Sequence, residues 1–140
     1  MSEPSYKFLP KFHQGFLVFV GLSFVAAGIP HFTHPEFYAP MMPSYLPWHN
    51  ELILVSGIFE ILGGLGMILP RTRQFSSIGL IALLLAVFPA NLHVAVNQIP
   101  FMSEPINPTL LWGRLPFQLI FIYMVWWAGL KKHPWLNPTE

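Results

Sequence analysis

The sequence contains no cysteine, which excludes disulfides, thiolate metal sites and thiol nucleophiles. Charge is almost as scarce. Asp, Glu, Lys and Arg make up 9% of 140 residues, whereas a soluble globular domain carries roughly 25%. So few ionic groups cannot clothe a domain in water, but an exterior that faces lipid needs none. The seven basic residues stand in ones and twos, and the formal net charge is +1, so the electrostatic footprint of a nucleic-acid binder is missing. No small-residue cleavage site follows the polar segment Met1 to Lys11, and the first apolar run reads as a retained span and not as a leader. The chain also lacks a serine triad, a phosphate loop, a dinucleotide fingerprint and a haem attachment motif. It has no internal repeat, low-complexity tract or heptad pattern.

What is abundant is uninterrupted apolar sequence. Four stretches stand out: Phe12 to Pro30, Leu52 to Leu69, Phe75 to Val96 and Leu110 to Leu130. Each is about 20 residues, which at about 1.5 Å per residue matches a hydrocarbon core of about 30 Å. Lipid offers the backbone no hydrogen bonds, so helices are the spanning solution, and the runs are too long and too uniformly apolar for barrel strands. The expectation is an all-α integral membrane four-helix bundle, a single membrane domain over residues 1–140.

The basic residues orient it. Lys7 and Lys11 precede the first span, Arg71 and Arg73 fill the second connection, and Lys131 and Lys132 follow the fourth span. By the positive-inside rule the N-terminus, the C-terminus and the Arg71 to Arg73 turn are cytoplasmic and the two longer loops face outward. The expected location is a bacterial cytoplasmic (inner) membrane. Tyr45, Trp48 and Trp112 fit one interface, while Trp126 and Trp127, with His13 and His133, fit the other as anchors. Gly57, Gly63, Gly64 and Gly66 in the second span, and Ala82, Ala86 and Ala90 at four-residue spacing in the third, predict close helix contacts. Pro30, Pro35, Pro40, Pro43 and Pro47 break the first outer loop into a stiff segment over the outer mouth, with Phe32, Phe37, Tyr38, Met41, Met42 and Tyr45 to cap it. The second outer loop, Gln98 to Pro108, is punctuated by Pro100, Pro105 and Pro108.

Against this background a few polar residues are conspicuous. Glu60 sits mid-span, where a charge costs on the order of 2.5–3.5 kcal/mol, so it needs a partner or a proton. Counted inward from the outer border, His93 and Arg114 lie roughly 6 Å deep, Asn91 roughly 9 Å, Gln118 roughly 12 Å and Glu60 roughly 14 Å. Arg114 and Gln118 are four apart and share a helix face beneath His31. Asn91 and His93 are about 200° apart on an ideal helix, a separation that a distortion at Pro89 would have to overcome. Two arrangements follow. In one, His31, Glu60, Asn91, His93, Arg114 and Gln118 line an outward polar pocket that binds a ligand; in the other, Glu60, Asn91, Arg114 and Gln118 satisfy one another as a structural lock. No metal site is expected, because His31 and His34, with Glu36 and His49 nearby, lack a continuous helical backbone between Pro30 and Pro35.

Several segments, read together, resemble a known family. GIPHFTHPEFYAPMMPSYLP (Gly28 to Pro47), SGIFEILGGLGMILPRTR (Ser56 to Arg73), GLIALLLAVFPANLHVAV (Gly79 to Val96) and WGRLPFQ (Trp112 to Gln118) resemble the DoxX-like family of small four-helix membrane proteins, over about residues 15 to 130. The resemblance implies His31, Glu60, Asn91, Arg114 and Gln118 as signature positions. It implies functions ranging from the membrane part of a thiosulfate:quinone oxidoreductase, through membrane partners of redox proteins, to receptor-assembly chaperones. A relay through the chain's own thiols is excluded by the absence of cysteine.

The first functional expectation is therefore a redox-associated protein that holds a lipophilic, quinone-like molecule in the outer half of the bundle, with the head group on His31, Arg114 and Gln118 and protons handled by Glu60 or His93. A non-catalytic assembly or interaction protein is the second. A transporter finds little support, since four spans offer no inverted repeat or broken-helix pair. The expected partners are the lipid bilayer, a membrane or redox protein and a second copy of the chain.

Overall fold

The computed structural model describes residues 11–100 and 107–131. Lys7, Lys132, His133 and Pro105 lie outside the described residues. Every regular element among those described is helical: α1 (Lys11–Gly28), α2 (Pro30–Thr33), two single 3-10 turns (Pro35–Phe37 and Ala39–Met41), α3 (His49–Ile68), α4 (Arg73–Asn97) and α5 (Pro108–Gly129). Four helical stretches are long and apolar enough to cross a membrane: Lys11–Thr33, His49–Ile68, Arg73–Asn97 and Pro108–Gly129.

The first stretch runs past Pro30, where the sequence places its end. Ile29 keeps a right-handed helical backbone and Pro30 takes the first position of a new turn, which requires no N–H and suits the fixed φ of proline. This extra turn delivers His31 to α3. At the other boundaries, Asn107 caps α5 by accepting from the backbone N–H groups of Thr109 and Leu110, and α4 stops where Gln98 adopts a left-handed conformation with φ 50°.

Helix α1 packs along α3, α3 along α4, and α4 along α5, with a lighter contact between α1 and α5. The α1–α3 seam is built on glycine. A Cβ on Gly28 would stand 2.8 Å from the Gly57 carbonyl oxygen, and Gly64 lies against the Gly21 carbonyl in the same way. The two antiparallel pairs, Gly21 with Gly64 and Gly28 with Gly57, are each seven residues apart on their own helix, so both recur on one face. The expected alanine contact is not formed: Ala82 and Ala86 are exposed and Ala90 only partly covered, because α4 meets α3 through Gly63 and Leu80 and meets α5 through Ser77 and Gly129.

Two apolar clusters fill the interior. Leu17, Val20, Phe24, Met67, Leu80, Val125 and Ala128 form the larger. Met41, Val94 and Leu111 form a second at the end carrying the 29–48 segment, so that segment packs down onto α4 and α5. The outside is also apolar, with Phe19, Phe59, Leu62, Leu85, Phe117 and Leu119 all more than half exposed, an exterior suited to lipid and not to water.

At the opposite end, near the 69–72 turn, two residues expected as interfacial anchors turn inward, His13 fully and Trp127 in part. His13 is 2% exposed, and its Nε2 lies 3.0 Å from the Ala128 carbonyl, to which it donates. Trp127 lies against the His13 ring at 5.1 Å and meets Phe16 edge-on at 5.2 Å. Both face the α1–α5 contact, and that rotation is invisible to a count of distance from the helix end. Trp126 is on the outside, 41% exposed and with the Lys131 ammonium 5.7 Å from its ring.

Candidate functional site

His31 is the organising residue. Its Nδ1 lies 2.9 Å from the Ile53 carbonyl oxygen and 3.0 Å from Ser56 Oγ. A carbonyl only accepts, so Nδ1 carries a proton and donates. The Ser56 hydroxyl donates to the same carbonyl at 2.9 Å. A protonated Nδ1 cannot take a proton from Ser56, so the row Ser56, His31, Glu60 is not a nucleophilic triad despite its composition.

The other ring nitrogen, Nε2, faces Glu60 Oε2 at 3.5 Å, with the two side chains 9% and 16% exposed. That oxygen is buried and makes no hydrogen bond among the described residues. Neutral imidazole with neutral acid, and imidazolium with carboxylate, have the same total charge. A proton moved from one to the other would therefore place no net charge in an apolar environment, where an unpaired charge is costly.

Tyr38 covers this pair. Its ring stacks on the His31 imidazole at 4.0 Å and 27°, held by the two 3-10 turns on either side of it. Burial pushes the phenol above its usual value of 10.0, the nearby Glu60 charge pushes the same way, and Arg114 opposes them. Arg114 in turn approaches Met41 Sδ, with Nη1 at 4.0 Å. The unfolded phenol ionises near 10.0 while the folded one keeps its proton to higher pH. Its contribution to stability is complete below pH 10 and is lost as pH rises through the folded value. Melting temperature in detergent should fall above pH 10, and Tyr38→Phe should flatten that fall. An unchanged slope in the variant would show that the phenol is not held in this way.

Asn91 and Gln118 form a separate arrangement. Asn91 Nδ2 donates to Gln118 Oε1 at 3.0 Å, and Gln118 Nε2 donates to the Leu84 carbonyl. Pro89 has no N–H for the Leu85 carbonyl, yet α4 stays helical through it. These bonds join α4 to α5. His93 is apart from both sets: Asn97 Nδ2 lies 2.9 Å from its Nδ1 and from its carbonyl, all on α4. His93 is thus tied within its own helix and joins neither set.

Of the residues singled out by depth, the fold brings His31 and Glu60 together with Arg114 in electrostatic reach of the shared Tyr38. It pairs Asn91 with Gln118 and leaves His93 with Asn97. Tyr38, Ser56 and the Ile53 and Leu84 carbonyls join the site without having been foreseen in it. Ser56 could have been found, being four residues before Glu60 on the same helical face. Tyr38 reaches His31 through the path of the loop, which no spacing rule describes. His34 points elsewhere, its Nδ1 3.1 Å from Glu36 Oε1 and its ring stacked on Phe37. The Glu36 carboxyl lies below its usual value, through a hydrogen bond from its own backbone and then that from His34. Among the described residues, no group of three or more His, Asp or Glu side chains could hold a metal ion.

The model of the family described as Domain of unknown function (DUF8561) matches residues 20–129. No curated protein and no solved structure matches the chain. The match covers every residue of the two polar arrangements, from His31 to Gln118, and the chain belongs to that family.

Proposed function

We propose that this DUF8561 protein is a four-helix membrane bundle, with both termini cytoplasmic, that binds the polar head of a quinone-like lipophile at His31 and Glu60 and exchanges a proton with it. The observation that carries the reading is the His31–Glu60 pair, with Nδ1 committed to the Ile53 carbonyl and Nε2 turned to the Glu60 carboxyl. A quinone oxygen accepts hydrogen bonds, and the quinol hydroxyl that replaces it donates. A histidine–carboxylic acid pair can answer both by moving one proton, which a fixed donor or acceptor cannot do. Tyr38 already occupies a stacking position on His31, the kind of contact a flat ring would make or displace.

The resemblance to the DoxX-like family supports a redox association, with electrons supplied or taken by a protein partner; as an argument from family likeness it ranks below the geometry. The lock reading has its own support, confined to Asn91, Gln118 and the Leu84 carbonyl, which satisfy one another across α4 and α5. We assign those residues to holding the helices and His31, Glu60, Tyr38 and Arg114 to the ligand. Mass spectrometry of an organic extract of the purified protein should reveal a stoichiometric quinone, and a short-chain ubiquinone should bind the extracted protein. If the extract holds none and the added quinone does not bind, the reading fails.

A further inference from the structure

A second candidate site lies at the end of the molecule away from His31. Phe12 and Phe16 on α1 and Tyr123, Met124 and Trp127 on α5 line an open lateral groove of about 290 Å³. Its wall is mainly hydrocarbon and aromatic ring. Lys11, exposed at the start of α1, immediately precedes Phe12, and Lys131 stands with its ammonium on Trp126, one residue from Trp127. The hydrogen bond from His13 to the Ala128 carbonyl holds these two helix ends together, so both lysines lie within about one helical turn of the mouth of the groove.

From this arrangement we infer that the groove binds one acyl chain of an anionic phospholipid whose phosphate is held by Lys11 and Lys131. The inference rests on the reading of the four long helices as membrane spans and is independent of the ligand proposed for His31. In a bilayer an apolar groove on the lateral surface fills with a lipid tail. What selects the lipid is charge: two cations at the level where the tail joins its head group attract an anionic head and give a zwitterionic one no comparable advantage. Trp127, about one helical turn from Lys131, forms the aromatic wall at the end of the groove nearest the cations, and Tyr123 extends that wall about one turn further along α5.

The full chain is reconstituted in vesicles of phosphatidylcholine and phosphatidylglycerol and released for native mass spectrometry, which counts the lipid retained. One phosphatidylglycerol should be retained preferentially. Lys11→Gln and Lys131→Gln should each lower that preference by about fivefold, from about 1 kcal/mol per basic residue near an anionic surface. Arg71→Gln, at the same end but on the turn between α3 and α4, should leave it unchanged. Met124→Trp, which fills the groove and spares both lysines, should abolish retention. Failure of the parent protein to prefer phosphatidylglycerol overturns the inference. An Arg71→Gln loss equal to that of the lysine variants also overturns it, since the preference would then belong to the basic surface and not to the groove. Loss of quinone binding with phosphatidylglycerol retention intact would remove the function proposed above and leave this site standing.

Discussion

Gly28→Ala and Gly64→Ala should each destabilise the protein by about 2–3 kcal/mol, the upper part of the range for overpacking a tight interior. A methyl group on Gly28 would lie 2.8 Å from the Gly57 carbonyl oxygen and 2.8 Å from Ile61 Cγ1. At Gly64 it would meet the Gly21 carbonyl as well as Phe24 Cβ and Val25 Cγ2, both at 3.1 Å. A carbonyl oxygen belongs to a hydrogen-bonded helix and cannot swing aside like the end of a long side chain, so α1 and α3 must separate along their seam. In lipid that seam depends on van der Waals contact, which fades steeply with distance. Gly79 provides the comparison, because a Cβ there meets nothing within 4 Å. Gly79→Ala should be neutral or stabilise by about 0.5–1 kcal/mol, since alanine favours a helix more than glycine does. Unfolding by sodium dodecyl sulfate in mixed micelles measures all three. Equal stability of Gly64→Ala and Gly79→Ala would rule out the α1–α3 crossing described here.

The largest functional effect is expected at Glu60. Glu60→Gln conserves shape but removes the carboxyl that faces His31 Nε2 at 3.5 Å. Binding of a short-chain ubiquinone should weaken by about 10- to 100-fold, the range for losing a hydrogen bond that involves an ionisable partner. Gln118→Leu should act in the opposite register. It leaves Asn91 Nδ2 without its acceptor and the Leu84 carbonyl without that donor, and should cost about 1–3 kcal/mol of stability while quinone affinity is preserved. Titration calorimetry for binding, paired with the same micellar unfolding for stability, separates the two effects. If Glu60→Gln binds as the parent does and loses only stability, then His31 and Glu60 belong to the lock with Gln118 and the ligand site is elsewhere.

Much of this was legible before any coordinates. The number of long helices and their approximate limits follow from unbroken apolar runs, because backbone hydrogen bonding in lipid leaves few alternatives and a helix has a set rise per residue. Rarity also marked the polar residues: a carboxylate or guanidinium in such a run is expensive enough that it must be used. Of the glycines, the sequence marks those of α3 as close contacts, but nothing in it marks Gly21 and Gly28, their partners on α1.

The sequence alone, then, determined which segments are membrane-length helices and which polar groups within them require an explanation. Only the tertiary structure decided how each helix is turned about its axis and where the proline-rich loop comes to rest. Those two choices pair His31 with Glu60 under Tyr38, give Asn91 to Gln118 and His93 to Asn97, bury His13 and half-bury Trp127 beside it, and leave Ala82 and Ala86 outside. The physical reason is the uniform hydrophobicity of the spans. In water an apolar face tells a helix which way to turn, but a helix that is apolar all round carries no such mark, and its rotation is settled by contacts with its neighbours.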